Sequence, residues 1–278
     1  MLRLLQIEYQ KLRHSRAARV ITITYFVLFL FIALITSIEF NFSQVHIRLA
    51  DQGFFNFPYI WHFNTYIASW AKLFLAIVIV SMMSNEYSHR TLKQNLIDGL
   101  SKKEFIASKF ITVAAFALLS AVFIGVLSLI LGLSFSDYTE FSIVTMDLEY
   151  LVAYFIKLLG FFSFCLFLGI LVKRSAFALG FLFIWFIIEK IAYAILKFKI
   201  FKDSNIADHI SQFFPLESMS NLIEEPFSRL NFVKSAANQL GSEIQNDYAV
   251  YWYECLIVLG WTAVFVYLSY FLLRKRDL

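Results

Sequence analysis

Four ionisable side chains, Lys72, Lys157, Glu189 and Lys190, stand inside stretches of sequence that are otherwise almost wholly apolar. A charge at membrane depth is costly and turns toward a bundle interior or a water-filled cavity, so these residues are candidates for a polar transport path. The competing role is structural: Lys72 and Lys157 snorkel to the headgroups and Glu189 pairs with one of them. Covalent chemistry has no comparable candidates. None of the glycines is followed by Lys, so the phosphate-cradling Gly-Lys-Ser/Thr loop does not occur and the chain cannot hydrolyse ATP by that route. His-Glu-x-x-His and Gly-x-Ser-x-Gly are equally missing. His14, His46, His62, His89 and His209 are scattered, and Cys165 and Cys255 lie in apolar runs without ligand spacing. The expectation is a chain that is not an enzyme and holds neither metal nor cofactor of its own.

A second set of residues lies between 85 and 109. Residues 88–98 suit a short helix with Leu92 and Leu96 on one face, and Gly99 is placed to end it. Ser101-x-x-Glu104 then reads as a capping box that starts a second helix, which runs on into apolar sequence. A short amphipathic helix held between two membrane-anchored elements can pass a push from a soluble partner into them. Leu92 and Leu96 would fill a groove on that partner, while Glu86, Arg90 and Lys93 set orientation at the rim. At the N-terminus, Leu2, Leu5, Tyr9 and Leu12 recur at helical spacing among Arg3, Lys11, Arg13, Arg16 and Arg19. Residues 1–19 therefore read as a basic amphipathic helix suited to anionic headgroups.

The elements that must position these residues follow from composition. The 278 residues are 60% hydrophobic and 16% charged, with mean hydropathy +0.69, whereas a soluble domain is about a quarter charged. Nine glycines and three prolines exclude collagen-like and linker-rich architectures. A net charge of +4 is ordinary for a membrane protein and gives no reason to expect nucleic acid. A bilayer core needs roughly 20 apolar residues per helix, and six runs qualify: 20–38, 66–84, 110–133, 151–172, 176–196 and 255–273. The fold expected is an all-α polytopic membrane protein, a single transmembrane domain over 1–278.

Six spans put both termini on one side. Arg3, Lys11, Arg13, Arg16 and Arg19 share that side with Arg90, Lys93, Lys102, Lys103, Lys109, Lys173, Arg174, Arg274, Lys275 and Arg276. The other side holds Arg48, Lys197, Lys199, Lys202, Arg229 and Lys234, all but Arg48 in one long segment. The positive-inside rule assigns the termini and 85–109 to the cytoplasm. The segment 197–253 is then outside; Pro215 suits the first turn of a short helix within it, and two short helices dipping toward the outer leaflet are expected. The third span carries Ala117, Ala121 and Gly125 at four-residue spacing, which suits close helix packing within the bundle or a seam between copies.

The order of Glu86 beside Tyr87, Thr91-Leu92-Lys93, a turn, a basic stretch and Lys109 opening the next span resembles the cytosolic loop of type-2 ABC exporter permeases. So do the Glu8-x-x-Lys11 helix, the six spans and the long last outer segment with Phe213-Phe214-Pro215. Members usually have Gly before the Thr; Arg90 stands there instead, which predicts a more helical backbone at that point. The resemblance implies a permease subunit working as a homodimer or with a homologous second permease. It implies a separate ABC ATPase subunit that binds ATP and Mg and docks on a coupling helix in 85–109, and re-entrant outer helices between spans five and six. The cargo implied is amphipathic, lipid-like, a peptide or a drug, moved outward across a cell membrane, a bacterial inner membrane by this reading. A non-transporting membrane anchor or sensor that recruits a cytosolic partner through the same loop is the alternative, and a membrane-embedded enzyme lacks a catalytic constellation.

Overall fold

A computed structural model describes residues 2–37, 39–42, 45–48, 53–201, 206–229 and 248–276. The positions of Lys202 and Lys234, within the long segment 197–253, lie outside the described residues. Helix α1 runs Leu2–His14 and α2 Arg16–Ser37. The break falls at Ser15, whose hydroxyl accepts the Ala18 backbone N–H and so caps α2. The arginines at 16 and 19, expected on the interfacial helix, thus belong to the first turns of the spanning helix.

Next come α3 (Tyr59–Ser88), α4 (Thr91–Ile97), α5 (Lys102–Phe135), α6 (Phe141–Val144), α7 (Glu149–Val172) and α8 (Ser175–Ile195). A π-helical turn over Leu196–Ile200 extends α8. The short helices α9 (Ile206–Ser211) and α10 (Pro215–Asn221) follow, then α11 (Trp252–Lys275). Among the described residues α2, α3, α5, α7, α8 and α11 are the helices long and apolar enough to cross a membrane. The chain is an all-α polytopic membrane protein with one small exception unforeseen in the sequence: Glu39–Phe42 (β1) pairs antiparallel with Val45–Arg48 (β2), Glu39 opposite Arg48 and Phe42 opposite Val45.

Local chemistry sets the boundaries around α4. The capping box is present: Ser101 Oγ accepts the Glu104 N–H at 3.1 Å while the Glu104 carboxylate accepts the Ser101 N–H at 3.0 Å. Gly99 adopts φ 98°, and the Gly99 and Leu100 amides bond back to the Leu96 and Asn95 carbonyls. That left-handed turn ends α4 and reverses the chain into α5.

Helix α7 is the centre of the bundle and packs on α3, α5 and α11. Tyr154, Leu158, Phe162 and Cys165 are wholly buried along it. Close approach requires a missing side chain at Gly160, where a Cβ would lie 2.7 Å from Val258 Cγ1 of α11. The small residues of α5 serve packing inside the chain: Ala117 is fully buried, Ala121 nearly so, and Gly125 faces the Leu151 side chain of α7. Three buried hydroxyls, of Tyr25 (α2), Ser120 (α5) and Tyr154 (α7), bond to one another and satisfy each other in an apolar interior. By contrast α8 turns Phe177, Phe183, Ile188 and Ile191 outward, as expected of a helix solvated by lipid.

Candidate functional site

The head of α5 carries Lys109, which is completely buried. Its Nζ lies 2.6 Å from Glu8 Oε2 of α1 and 2.6 Å from Glu86 Oε1 near the end of α3. Lys11, one turn along from Glu8, donates to the same Glu86 oxygen at 2.8 Å and stands 3.5 Å from Glu8 Oε1. The second oxygen of Glu86 accepts the Thr91 hydroxyl at 2.5 Å, which ties in the first residue of α4. Two carboxylates and two ammonium groups thus neutralise one another where α1, α3, α4 and α5 meet. Half-burial works against the charge on Lys11, but the Glu86 and Glu8 carboxylates outweigh it and hold its pKa above the ordinary 10.5. The oxygens of Glu86 are spent on Lys11, Lys109 and Thr91, so the cluster is an ionic lock.

Of this lock, the sequence singles out Glu8, Lys11 and Glu86 by element and Lys109 by its place in the loop, and the structure brings all four together; Glu86, expected at the rim of a partner's groove, is instead 3% exposed and engaged inside the chain. Arg90 departs from expectation. Its backbone is left-handed, φ 55° and ψ 18°, not helical. The turn from α3 into α4 takes that conformation, so Arg90 adopts a geometry that favours glycine at a cost of about 1 kcal/mol.

The two leucines of α4 also require a correction. Leu92, expected to fill a partner's groove, is 2% exposed and belongs to this chain's own core. Leu96 and Leu100 pack half-buried against the same core. Helical spacing identified the shared face correctly, but that face seals α4 onto the bundle. The outward face carries Lys93, Gln94, Ile97 and Asp98, with Arg90 at its start; Ile97 is 75% exposed.

Other contacts gather at the same end. Arg276, after α11, donates to the Ile170 and Leu171 carbonyls at 2.5 and 3.0 Å and to Tyr87 Oη at 3.3 Å. Lys102 donates to the carbonyls of Arg274 and Arg276 at 3.3 and 3.0 Å. Ser84 accepts the Ser175 amide and donates to the Lys173 carbonyl. Helix ends of α3, α7 and α11 and the starts of α5 and α8 are therefore cross-linked by cations and hydroxyls on free carbonyls.

The intramembrane charges sit toward the opposite end, around α10. Glu189 is 6% exposed; its carboxylate accepts the amides of Leu216 and Glu217 at 3.0–3.1 Å and the Trp185 indole N–H at 2.6 Å. It thereby caps the start of α10. Lys157, 2% exposed, donates to the Ser220 carbonyl near the end of that helix at 3.3 Å. Lys190 pairs with Glu217 at 2.6 Å, and Lys72 lies 4.5 Å from the centre of the Phe161 ring. Three of the four candidates thus fasten α10 to α7 and α8; Glu189 at its start and Lys157 near its end have signs that suit its dipole, while Lys190 acts through the Glu217 side chain. Beside them His62 is fully buried, stacked on Tyr150 with ring centres 4.2 Å apart. It bonds to the Glu224 carbonyl at 2.9 Å and lies 3.1 Å from Arg229 Nη1. Arg229 is held between the Tyr59 and Tyr248 rings and stands 3.6 Å from Asp147. No local spacing connects these residues, and sequence reasoning missed them.

A sequence model described as ABC-2 family transporter protein matches residues 2–278. No curated protein matches the chain.

Proposed function

The chain belongs to the ABC-2 transporter family and is the membrane-spanning permease subunit of an ABC transporter; on that premise we propose that it is an exporter driven through α4. In this reading the termini and residues 85–109 face the cytoplasm and 197–253 face outward. A separate ABC ATPase binds ATP and Mg and docks on the exposed face of α4, with Ile97 as apolar anchor and Arg90, Lys93 and Asp98 at its rim. Two copies, or one copy with a homologous permease, enclose the path, and the cargo is an amphipathic, lipid-like, peptide or drug molecule moved outward.

The observation that carries this reading is the Lys109 lock. A push on α4 reaches the bundle only if α4 cannot yield by itself. Thr91 is bonded to Glu86 and Glu86 to Lys109, while Leu92 is buried beneath. The short helix therefore moves with α1, α3 and α5 as one body. Interface anchors typically cost 1–3 kcal/mol on truncation, rim charges less. The test is Ile97→Ala with Lys93→Ala, scored by co-purification with the ATPase and by transport in vesicles. Loss of ATPase association, or its retention with transport abolished, is expected. Full binding and full transport would withdraw α4 from coupling and leave a non-transporting anchor as the better reading.

A further inference from the structure

Between α1, α2 and α5 lies a groove of about 420 Å³ that the lock does not use. Its floor and walls are apolar, formed by Leu5, Leu12, Ile23, Phe116 and Leu119. Arg13 and Arg19 stand on its lining, both exposed. Among the described residues neither guanidinium has a hydrogen-bond or carboxylate partner. The volume falls in the range of a small-molecule site, yet one wall is continuous with side chains such as Val20, Ile23 and Leu119 that are 54–62% exposed on spanning helices. An occupant must therefore be apolar along its length, open to the bilayer, and negatively charged at the end where α1 lies.

We propose that this groove is a binding site for one anionic phospholipid, with an acyl chain along Leu12, Ile23 and Phe116 and the headgroup phosphate on Arg13 and Arg19. The chemistry is that of a bidentate donor meeting a phosphate. A soluble peptide or free phosphate would leave the apolar wall uncovered. The position gives the lipid a consequence: α1 presents Glu8 and Lys11 to the buried lock on one face and the groove on another. A lipid wedged there holds α1 against α5 and supports the lock from behind.

The test uses the purified full chain in nanodiscs of phosphatidylcholine with and without dioleoylphosphatidylglycerol, with retained lipid counted by native mass spectrometry. One phosphatidylglycerol per chain is expected to persist after phosphatidylcholine is stripped. An Arg13→Gln, Arg19→Gln variant should lower that occupancy on the order of tenfold or more. Ala115→Trp, which fills the groove and spares both arginines, should do the same. Equal retention of the two lipids overturns the proposal, as does full occupancy in both variants. An equal loss in Arg16→Gln, whose side chain is outside the groove, would show diffuse charge attraction and overturn it too. Disulfide cross-linking of Leu119→Cys between two copies, in a background without Cys165 and Cys255, would make the groove an interface between copies and withdraw the lipid.

Discussion

Lys109 and Glu8, 101 residues apart in sequence, meet at 2.6 Å with the lysine wholly shielded from solvent. The pair joins an N-terminal helix to the head of a spanning helix, and Glu86 shares the same ammonium. Breaking a buried pair by removing one partner typically costs 3–5 kcal/mol, because a buried charge is left alone. Lys109→Met should therefore destabilise the protein by about that amount, read as a lowered midpoint of thermal aggregation in detergent. A triple variant, Glu8→Leu with Glu86→Gln and Lys109→Met, should recover much of the loss while coupling remains impaired. Equal stability of Lys109→Met and wild type would show that the lock carries no energy.

Lys11 adds a pH consequence. Its folded pKa lies above the ordinary 10.5, so its share of the lock is complete below that value and is lost only as pH rises through the raised one. Titration of stability from pH 6 to 9 should show no change attributable to Lys11, and Lys11→Met should leave the shape of that profile unaltered.

Leu92 and Ile97 should separate cleanly. Leu92→Ala removes a buried side chain and should lower stability by about 2–4 kcal/mol. Ile97→Asp touches nothing inside the chain and should leave the unfolding midpoint in place while weakening ATPase association tenfold or more. Both are read on one preparation by thermal unfolding and co-purification. The opposite pattern would restore Leu92 as the partner's anchor.

Arg90 sits in a left-handed conformation that glycine adopts without penalty. Arg90→Gly should be neutral or stabilising by up to about 1 kcal/mol, whereas Arg90→Val should be clearly destabilising. Any loss of transport in Arg90→Gly without loss of stability then reports the guanidinium and not the turn.

Glu189 caps α10 through two backbone amides, a contribution of about 0.5–2 kcal/mol. Glu189→Ala should open α10 to added protease, and Lys157→Met should do so more mildly. If both variants keep α10 protected and still alter transport, the charges act on cargo directly.

The spans were legible because lipid imposes a length and an apolarity that few other environments demand. The capping box at Ser101 and the stop at Gly99 were legible because both depend on neighbours in sequence. The direction of Leu92 was not. Periodicity shows that Leu92 and Leu96 share a face, and it is silent on whether that face meets the same chain or another. The Glu8–Lys109 and Glu189–Leu216 contacts join residues far apart, and each carboxylate had several chemically equal partners until the fold chose one. The pairing of Glu39–Phe42 with Val45–Arg48 had a signal in the alternation of Phe40, Phe42, Val45 and Ile47, but runs of four residues are too short for periodicity to assign as strands.

The dependence of α7 on α11 has a consequence for biogenesis. Gly160 is left bare so that Val258 can reach the α7 backbone, Phe164 packs on Phe265 with ring centres 4.7 Å apart, and Arg276 covers the last carbonyls of α7. While the ribosome is still making residues beyond 230, α7 is already in the membrane with that flank uncovered. A nascent chain holds that flank open until α11 arrives. A translation product stopped before Trp252 would present a glycine-notched, aromatic flank to the bilayer.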